Sequence, residues 1–200
     1  DPVEVLSFTT SGPGTGFQLG IELFAGAAPE RVKYVWFGAL TPREHGTGSS
    51  PLYGHANAAG AGAVAAADYR ETPAFGVSPP LVESFSALGG TPILFDLAGN
   101  PVAERRHKPD LTAPNGGDNT FFGGDADGNG LPNFFGTSAA APHAAGVAAL
   151  LSEASPAATP HDVSAALADS ALDMGVPGFD ERTGAGLIQA EAARSLLVAR

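Results

Sequence analysis

The chain of 200 residues carries a formal net charge of −11 and contains no cysteine. This acidic balance disfavours nucleic acid and anionic membrane surfaces as partners. Because cysteine is absent, disulfides, thiolate metal sites and a cysteine nucleophile are excluded. The longest apolar runs, near residues 61–67 and 147–151, are far shorter than the roughly 20 residues of a membrane-spanning helix.

The first fifty residues have the pattern of β-strands. Residues 3–9, 16–26 and 32–37 alternate apolar and polar side chains and are separated by glycine and proline, which is typical of half-buried strands. In the second run, one face would carry the side chains of Phe17, Leu19, Ile21 and Leu23. Three strands alone are marginally stable, so we expect this segment to depend on contacts with other parts of the protein.

From residue 52 onward, strands and helices alternate, which predicts an α/β domain. The stretches 91–97 and 101–105 have extended patterns. Gly99-Asn100 lies between them and predicts a hairpin turn.

Three helices are predicted towards the end of the chain. The first takes its start from Gly136-Thr137 and runs to about Ser152, and the last covers about residues 189–198. The helix between them begins with Thr159-Pro160-His161-Asp162 and is expected to close at Gly175. Its start is a capping signature, because a threonine precedes a proline at the first helical position and the aspartate can reach back.

Gly136-Thr137-Ser138 lies where a glycine-rich turn becomes a helix of small residues. Gly136 permits a tight turn, and the first N–H groups of the helix have no intrahelical partner. These donors favour developing negative charge, so a carbonyl attacked by Ser138 Oγ would place its oxyanion near the Ser138 N–H. The alternative is a serine that caps a core helix. The small residues that follow predict a helix that is apolar nearly all round and buried.

An acidic constellation at residues 125–131 precedes the serine. It places oxygen ligands at alternating positions before a glycine, as in the first half of a calcium loop. The residues that would provide these ligands are Asp125, Asp127, Asn129 and, through its carbonyl, Leu131. Gly136 stands where such a loop has its glutamate, so Asp118 or Asn133 would have to complete the site. The alternative is an acidic surface turn.

Five segments of the chain follow the order of a known family. Residues 134–146, Phe-Phe-Gly-Thr-Ser-Ala-Ala-Ala-Pro-His-Ala-Ala-Gly, resemble the nucleophile segment of the subtilisin-like serine proteases, or subtilases. Residues 54–69 are similar to the strand after the family's substrate-binding region, and residues 82–90 to its Phe-Ser-Ser-x-Gly segment. Residues 108–114 match its Lys-Pro-Asp-(Ile/Leu)-x-Ala-Pro turn, and residues 183–190 resemble its closing Gly-x-Gly-x-(Ile/Val)-x-Ala segment.

The resemblance implies a fold and a function. Residues 51–200 would be the C-terminal part of a three-layer α/β catalytic domain with a parallel sheet, and residues 1–50 a β-rich remnant of an inserted domain. The protein would be a secreted serine endopeptidase that hydrolyses polypeptides through an acyl-enzyme on Ser138. This chemistry requires no cofactor, although calcium could stabilise the loop at residues 125–131.

The other catalytic groups of the family are not found. The chain has neither the Asp-(Ser/Thr)-Gly strand end nor a full His-Gly-Thr-x-Val-Ala-Gly helix start. The catalytic Asp and His and the oxyanion Asn are therefore expected outside this chain, in a missing N-terminal half of the catalytic domain that would be its partner. The chain alone would then be inactive.

Four other residues imitate catalytic groups. His45 opens a segment like the family's histidine motif, but the glycines and proline after it indicate a loop. Asn100 imitates the oxyanion asparagine, yet it lies in the predicted hairpin turn and out of family order. His143 follows Ser138 by more than a helical turn, as a histidine does in the family, and is expected to be structural. For His55, a place beside the substrate cleft and a solvated or capping role both remain open.

Two other functions remain open. One is a non-catalytic fragment or relative that acts as a binding or assembly module and is possibly calcium-stabilised. The other is a calcium-stabilised surface or adhesive β-domain, for which the α/β half would be scaffold. Neither function uses Ser138 as a nucleophile.

Overall fold

The computed structural model of the protein describes residues 5–9, 12, 14, 16–29, 32–38 and 40–199. The chain forms two compact units, Asp1–Thr41 and Pro42–Arg200. The assignment of residues 1–50 to an inserted domain stays a prediction.

In the first unit, the described residues form neither a helix nor a strand. The strands predicted at residues 3–9, 16–26 and 32–37 are therefore wrong for this part of the chain, and residues 3 and 4 lie outside the described residues. The side chains expected on one buried face are exposed, from 43% at Phe17 to 61% at Ile21. An alternating pattern forms a strand when a neighbour pairs its backbone and covers its apolar face, and the described residues of this unit supply no such neighbour.

The second unit contains a parallel pair of strands. β1 (Val64–Asp68) pairs with β4 (Leu111–Asn115), so that Val64 lies opposite Leu111 and Asp68 lies opposite Asn115. The middle of β1 is three buried alanines, as expected for a parallel strand covered on both faces. These small side chains leave room for a helix to pack closely on the sheet.

A separate hairpin lies between these strands in the chain. β2 (Pro92–Phe95) and β3 (Pro101–Arg105) are antiparallel, which confirms the predicted hairpin. The Asp96 carboxylate accepts hydrogen bonds from the backbone N–H groups of Ala98 and Asn100, both at 2.8 Å. Gly99 has a φ of 84°, which glycine adopts without steric cost.

Helix α1 (Thr137–Ala154) packs on β1 and β4 and extends slightly beyond its predicted end. Its buried side chains are Ala140, Ala144 and Leu151. The expectation that this helix is buried is wrong for much of its surface in the described chain, because Ala141, Ala145 and Leu150 are exposed. No part of the described chain covers these side chains.

Helix α2 (Pro160–Asp169) begins with the predicted capping box. Thr159 Oγ1 accepts a hydrogen bond from the Asp162 N–H at 3.2 Å, and the Asp162 carboxylate accepts one from the Thr159 N–H at 2.8 Å. The helix ends at Asp169 rather than at Gly175. It ends early because Leu172 pairs its backbone with Leu187 in both directions, at 2.8 Å.

Helix α3 (Ala190–Val198) agrees with the predicted terminal helix. The three helices and the parallel strands share one apolar core, which includes Ala66, Ala113, Leu151, Val163, Leu167 and Leu197. The predicted α/β class is thus confirmed. No helix in the described part of the chain is long and apolar enough to cross a membrane.

Candidate active site

Ser138 lies beyond the carboxyl edge of the parallel strands. β4 ends at Asn115, and the chain then passes through a loop to the start of α1 at Thr137. In α/β folds, ligands bind outside the carboxyl ends of the strands. The predicted nucleophile is therefore located where such a fold places its chemistry.

The turn before the helix exposes the serine. Gly136 has a φ of 120°, a backbone conformation that is essentially restricted to glycine. Its carbonyl accepts hydrogen bonds from the N–H groups of Ala139 at 2.9 Å and Ala140 at 3.2 Å. Ser138 is the second residue of α1 and is exposed. Because the first N–H groups of a helix lack intrahelical partners, the Ser138 N–H is available to stabilise an oxyanion.

Hydrogen bonds connect this turn to the end of β4. The Gly136 N–H donates to Asn115 Oδ1 at 3.0 Å, and the Gly116 N–H donates to the Phe134 carbonyl at 2.8 Å. Asn115 is 2% exposed, and its Nδ2 has no hydrogen-bond partner among the described residues. The buried amide fixes the turn to the last residue of the strand.

The end of β1 carries an ion pair. The Arg70 guanidinium donates to both carboxylate oxygens of Asp68, from Nη2 at 2.6 Å and from Nε at 3.0 Å. These hydrogen bonds hold the pKa of Asp68 below its usual range. Next to this pair, the Tyr69 hydroxyl donates to Asp127 Oδ2 at 2.8 Å, which lowers the pKa of Asp127 and raises that of Tyr69.

The predicted calcium ligands lie together in one loop. Asp125 accepts hydrogen bonds from three backbone N–H groups of the loop, at 2.7 to 3.2 Å. Asn129 Nδ2 donates to Asp118 at 2.9 Å, and the Leu131 N–H donates to Asn129 Oδ1 at 2.8 Å. Within the described ranges, no group of three or more acidic or histidine side chains is arranged to hold a metal ion. In this arrangement the loop oxygens accept hydrogen bonds from backbone and side-chain amides, and calcium binding stays a prediction.

The residues that imitate catalytic groups are dispersed. His45 lies in a loop with a φ of 57°, His55 is exposed in a short 3-10 segment, and His143 is exposed on α1. Asn100 lies in the hairpin turn, where its amide donates to Asp96 at 2.9 Å. No hydrogen bond joins Ser138 Oγ to a histidine in the described part of the chain.

The family resemblance of the sequence is confirmed by comparison with known proteins. A sequence model described as the Subtilase family matches residues 41–186. The chain belongs to the subtilase family. That family is one of serine proteases, which supports this class of activity in general.

Individual relatives share only parts of this subtilase chain. Fervidolysin from Fervidobacterium pennivorans is 32% identical over 105 residues, which are 52% of the chain and 13% of fervidolysin. Fervidolysin is described as a keratinolytic enzyme related to subtilisin, and its crystal structure matches this chain with 26% sequence identity and a TM-score of 0.43. The match covers 70% of this chain and 20% of the fervidolysin chain. The crystal structure of the psychrophilic subtilisin-like protease Apa1 from Pseudoalteromonas sp. AS-11 matches with 42% sequence identity and a TM-score of 0.32. This match covers 34% of this chain and 15% of the Apa1 chain. The chain thus spans at most 20% of the length of these relatives.

Sequence reasoning missed three residues at the ends of the parallel strands, beside the serine turn of this subtilase chain. Asn115 follows directly after the family-like segment 108–114, which was the available signal. Asp68 and Arg70 give no such signal, because their ion pair comes near the turn only when β1 lies beside β4 in the folded chain.

Proposed function

We propose that Ser138 is the nucleophile of a subtilisin-like serine endopeptidase that hydrolyses peptide bonds of polypeptide substrates. The observation that carries this proposal is the exposed serine in the first turn of α1, after a glycine with a φ of 120°. Membership in the subtilase family supports it. The chemistry needs no cofactor. Secretion of the protein is part of the proposal and is supported by the family alone.

The reaction proceeds through an acyl-enzyme. Ser138 Oγ attacks the carbonyl carbon while a general base takes its proton, and the base then gives that proton to the leaving amine nitrogen. Water attacks the resulting ester and restores the serine hydroxyl. In both steps, negative charge develops on the carbonyl oxygen, where the Ser138 N–H and the positive end of α1 stabilise it.

The general base, the aspartate that orients it and the side-chain oxyanion donor are proposed to lie outside this chain. In a serine-protease triad, loss of the histidine costs on the order of 10⁶-fold in rate, so the chain alone is expected to be inactive. We propose that the remaining part of the catalytic domain packs on the outer face of α1. That face is exposed at Ala141, Ala145, Ala149 and Leu150.

Hydrolysis of an unfolded polypeptide by the full-length protein tests this proposal. The variant S138A is expected to lose cleavage by several orders of magnitude, because no other group supplies the nucleophile. The matched control is S152A on the same helix, where the exposed hydroxyl donates to the Ala148 carbonyl at 3.0 Å. Cleavage that persists in S138A would contradict the proposal.

A calcium-stabilised binding or assembly module is the second candidate function. It is favoured by the contacts that bring Asp118, Asp127 and Asn129 together. Under this candidate, millimolar calcium raises the unfolding midpoint because it binds the folded chain in preference to the unfolded one, and D125N and D127N abolish the rise. An unchanged midpoint in calorimetry with and without calcium would remove this candidate.

A further inference from the structure

The nucleophile turn is held by one more contact that links it to β1. The Arg70 guanidinium lies over the ring of Phe135, with Cζ 5.7 Å from the ring centroid. Phe135 directly precedes Gly136 and Ser138 is three residues further along the chain. A cation over an aromatic face is attracted by the ring quadrupole, so this contact restricts the ring.

Arg70 is itself held in place. Asp68, the last residue of β1, accepts two hydrogen bonds from the Arg70 guanidinium and one from the Arg70 backbone N–H, the last at 2.9 Å. The Asp68 side chain is 14% exposed and the Arg70 side chain is 46% exposed. A bidentate ion pair of this kind fixes the plane of the guanidinium as well as its position.

A second contact of the ring is with Gly116, the residue after β4. A Cβ placed on Gly116 would lie 2.5 Å from Phe135 Cε1, so the ring lies against the backbone that follows Asn115. The Asn115 amide in turn accepts the hydrogen bond of the Gly136 N–H. Phe135 and Gly136 are therefore held from the ends of both parallel strands.

We propose that Asp68 and Arg70 form a clamp on Phe135 that positions the Ser138 hydroxyl and N–H for attack. Arg70 is a positioning residue, because it acts through Phe135 and not on substrate. The functional part of this inference rests on the proposed role of Ser138. An oxyanion donor and a nucleophile depend steeply on geometry, and a displacement of about 1 Å costs up to 10²-fold in rate.

Phosphonylation of Ser138 in the full-length protein measures the effect on reactivity. We expect R70A to lower the rate constant about 5- to 10-fold. R70K is expected to stay within about 2-fold of R70A, because an ammonium lacks the planar fork. If Arg70 acts through Phe135, the effect of R70A disappears in an F135L background, which is the signature of coupled residues.

The matched control is Arg194. Its guanidinium also forms a bidentate ion pair, on the exposed surface of α3. Arg194 Nη2 and Nε donate to the two carboxylate oxygens of Glu191 at 2.7 and 3.0 Å. R194A is expected to leave the phosphonylation rate unchanged. Unfolding midpoints of R70A and R70K show whether each variant is folded at the assay temperature.

Amide hydrogen exchange of Gly136 in the same proteins does not depend on catalysis. R70A is expected to increase its exchange rate about 5- to 10-fold, and R194A to leave it unchanged. Unchanged exchange in R70A overturns the clamp, as does faster exchange without slower phosphonylation. If the wild-type protein is not phosphonylated but exchange responds to R70A, the proposed nucleophile is wrong and the clamp on the turn stands.

Discussion

Leu151 of α1 is 2% exposed, whereas the preceding residue, Leu150, is 63% exposed. The inner side of the helix belongs to the core shared with α2, α3 and the parallel strands. The outer side carries small apolar residues that nothing in the described chain covers. This difference teaches that the chain forms and anchors the turn that carries Ser138, whereas its described residues cover only one face of the helix that follows.

The largest expected effect of a substitution lies on the inner side. L151A is expected to lower the free energy of unfolding by about 2–5 kcal/mol, because it leaves a cavity in the core. L150A is expected to stay within about 0.5 kcal/mol of the wild type in this chain, since surface substitutions are nearly neutral. Denaturant unfolding of both variants checks the comparison. A similar loss for L150A would show that the outer face is covered in solution.

Two glycines of the same segment are expected to respond with opposite signs. G136A is expected to destabilise the chain by about 1–3 kcal/mol, because alanine is strained at a φ of 120°. G146A is expected to stabilise α1 by about 0.5–1 kcal/mol, since a Cβ there meets nothing within 4 Å. Thermal unfolding measures both changes. Stabilisation by G136A would contradict the described turn.

The smallest expected effect concerns the pH dependence of the pair at the end of β1. Arg70 lowers the pKa of Asp68 in the folded chain. The resulting stabilisation is therefore fully present above the ordinary pKa of about 3.9 and is lost as the pH falls through the lowered value. The difference in unfolding midpoint between wild type and D68N should be present at neutral pH and shrink in stronger acid.

The control for this pH dependence is E191Q. Glu191 forms an equivalent pair with Arg194, but its side chain is 76% exposed, so its contribution is expected to be smaller. A difference between wild type and D68N that stays constant down to strongly acidic pH would contradict the proposed ion pair.

Local sequence signals predicted local structure well. The capping box at Thr159 and Asp162 depends on residues three positions apart, and the hairpin depends on the turn at Gly99. The early end of α2 was missed because it depends on the pairing of Leu172 with Leu187, which are distant in sequence.

Features that depend on other parts of the fold were not predicted from the sequence. Residues 16–26 alternate like a strand, but a strand needs a pairing neighbour, which their own pattern cannot supply. Of the candidate site, Ser138 and Gly136 could be predicted because they lie in one continuous motif. Arg70 and Asn115 could not, because they meet the turn only when β1 and β4 lie side by side.

Reaction with a fluorophosphonate probe, mapped by mass spectrometry to the modified residue, tests the central claim most directly. The comparison is between this chain and the full-length protein. We expect phosphonylation of Ser138 in the full-length protein and none in the chain alone, because the general base is proposed to lie outside the chain. Labelling of Ser138 in the chain alone would contradict the external base, and the absence of labelling in the full-length protein would contradict the nucleophile.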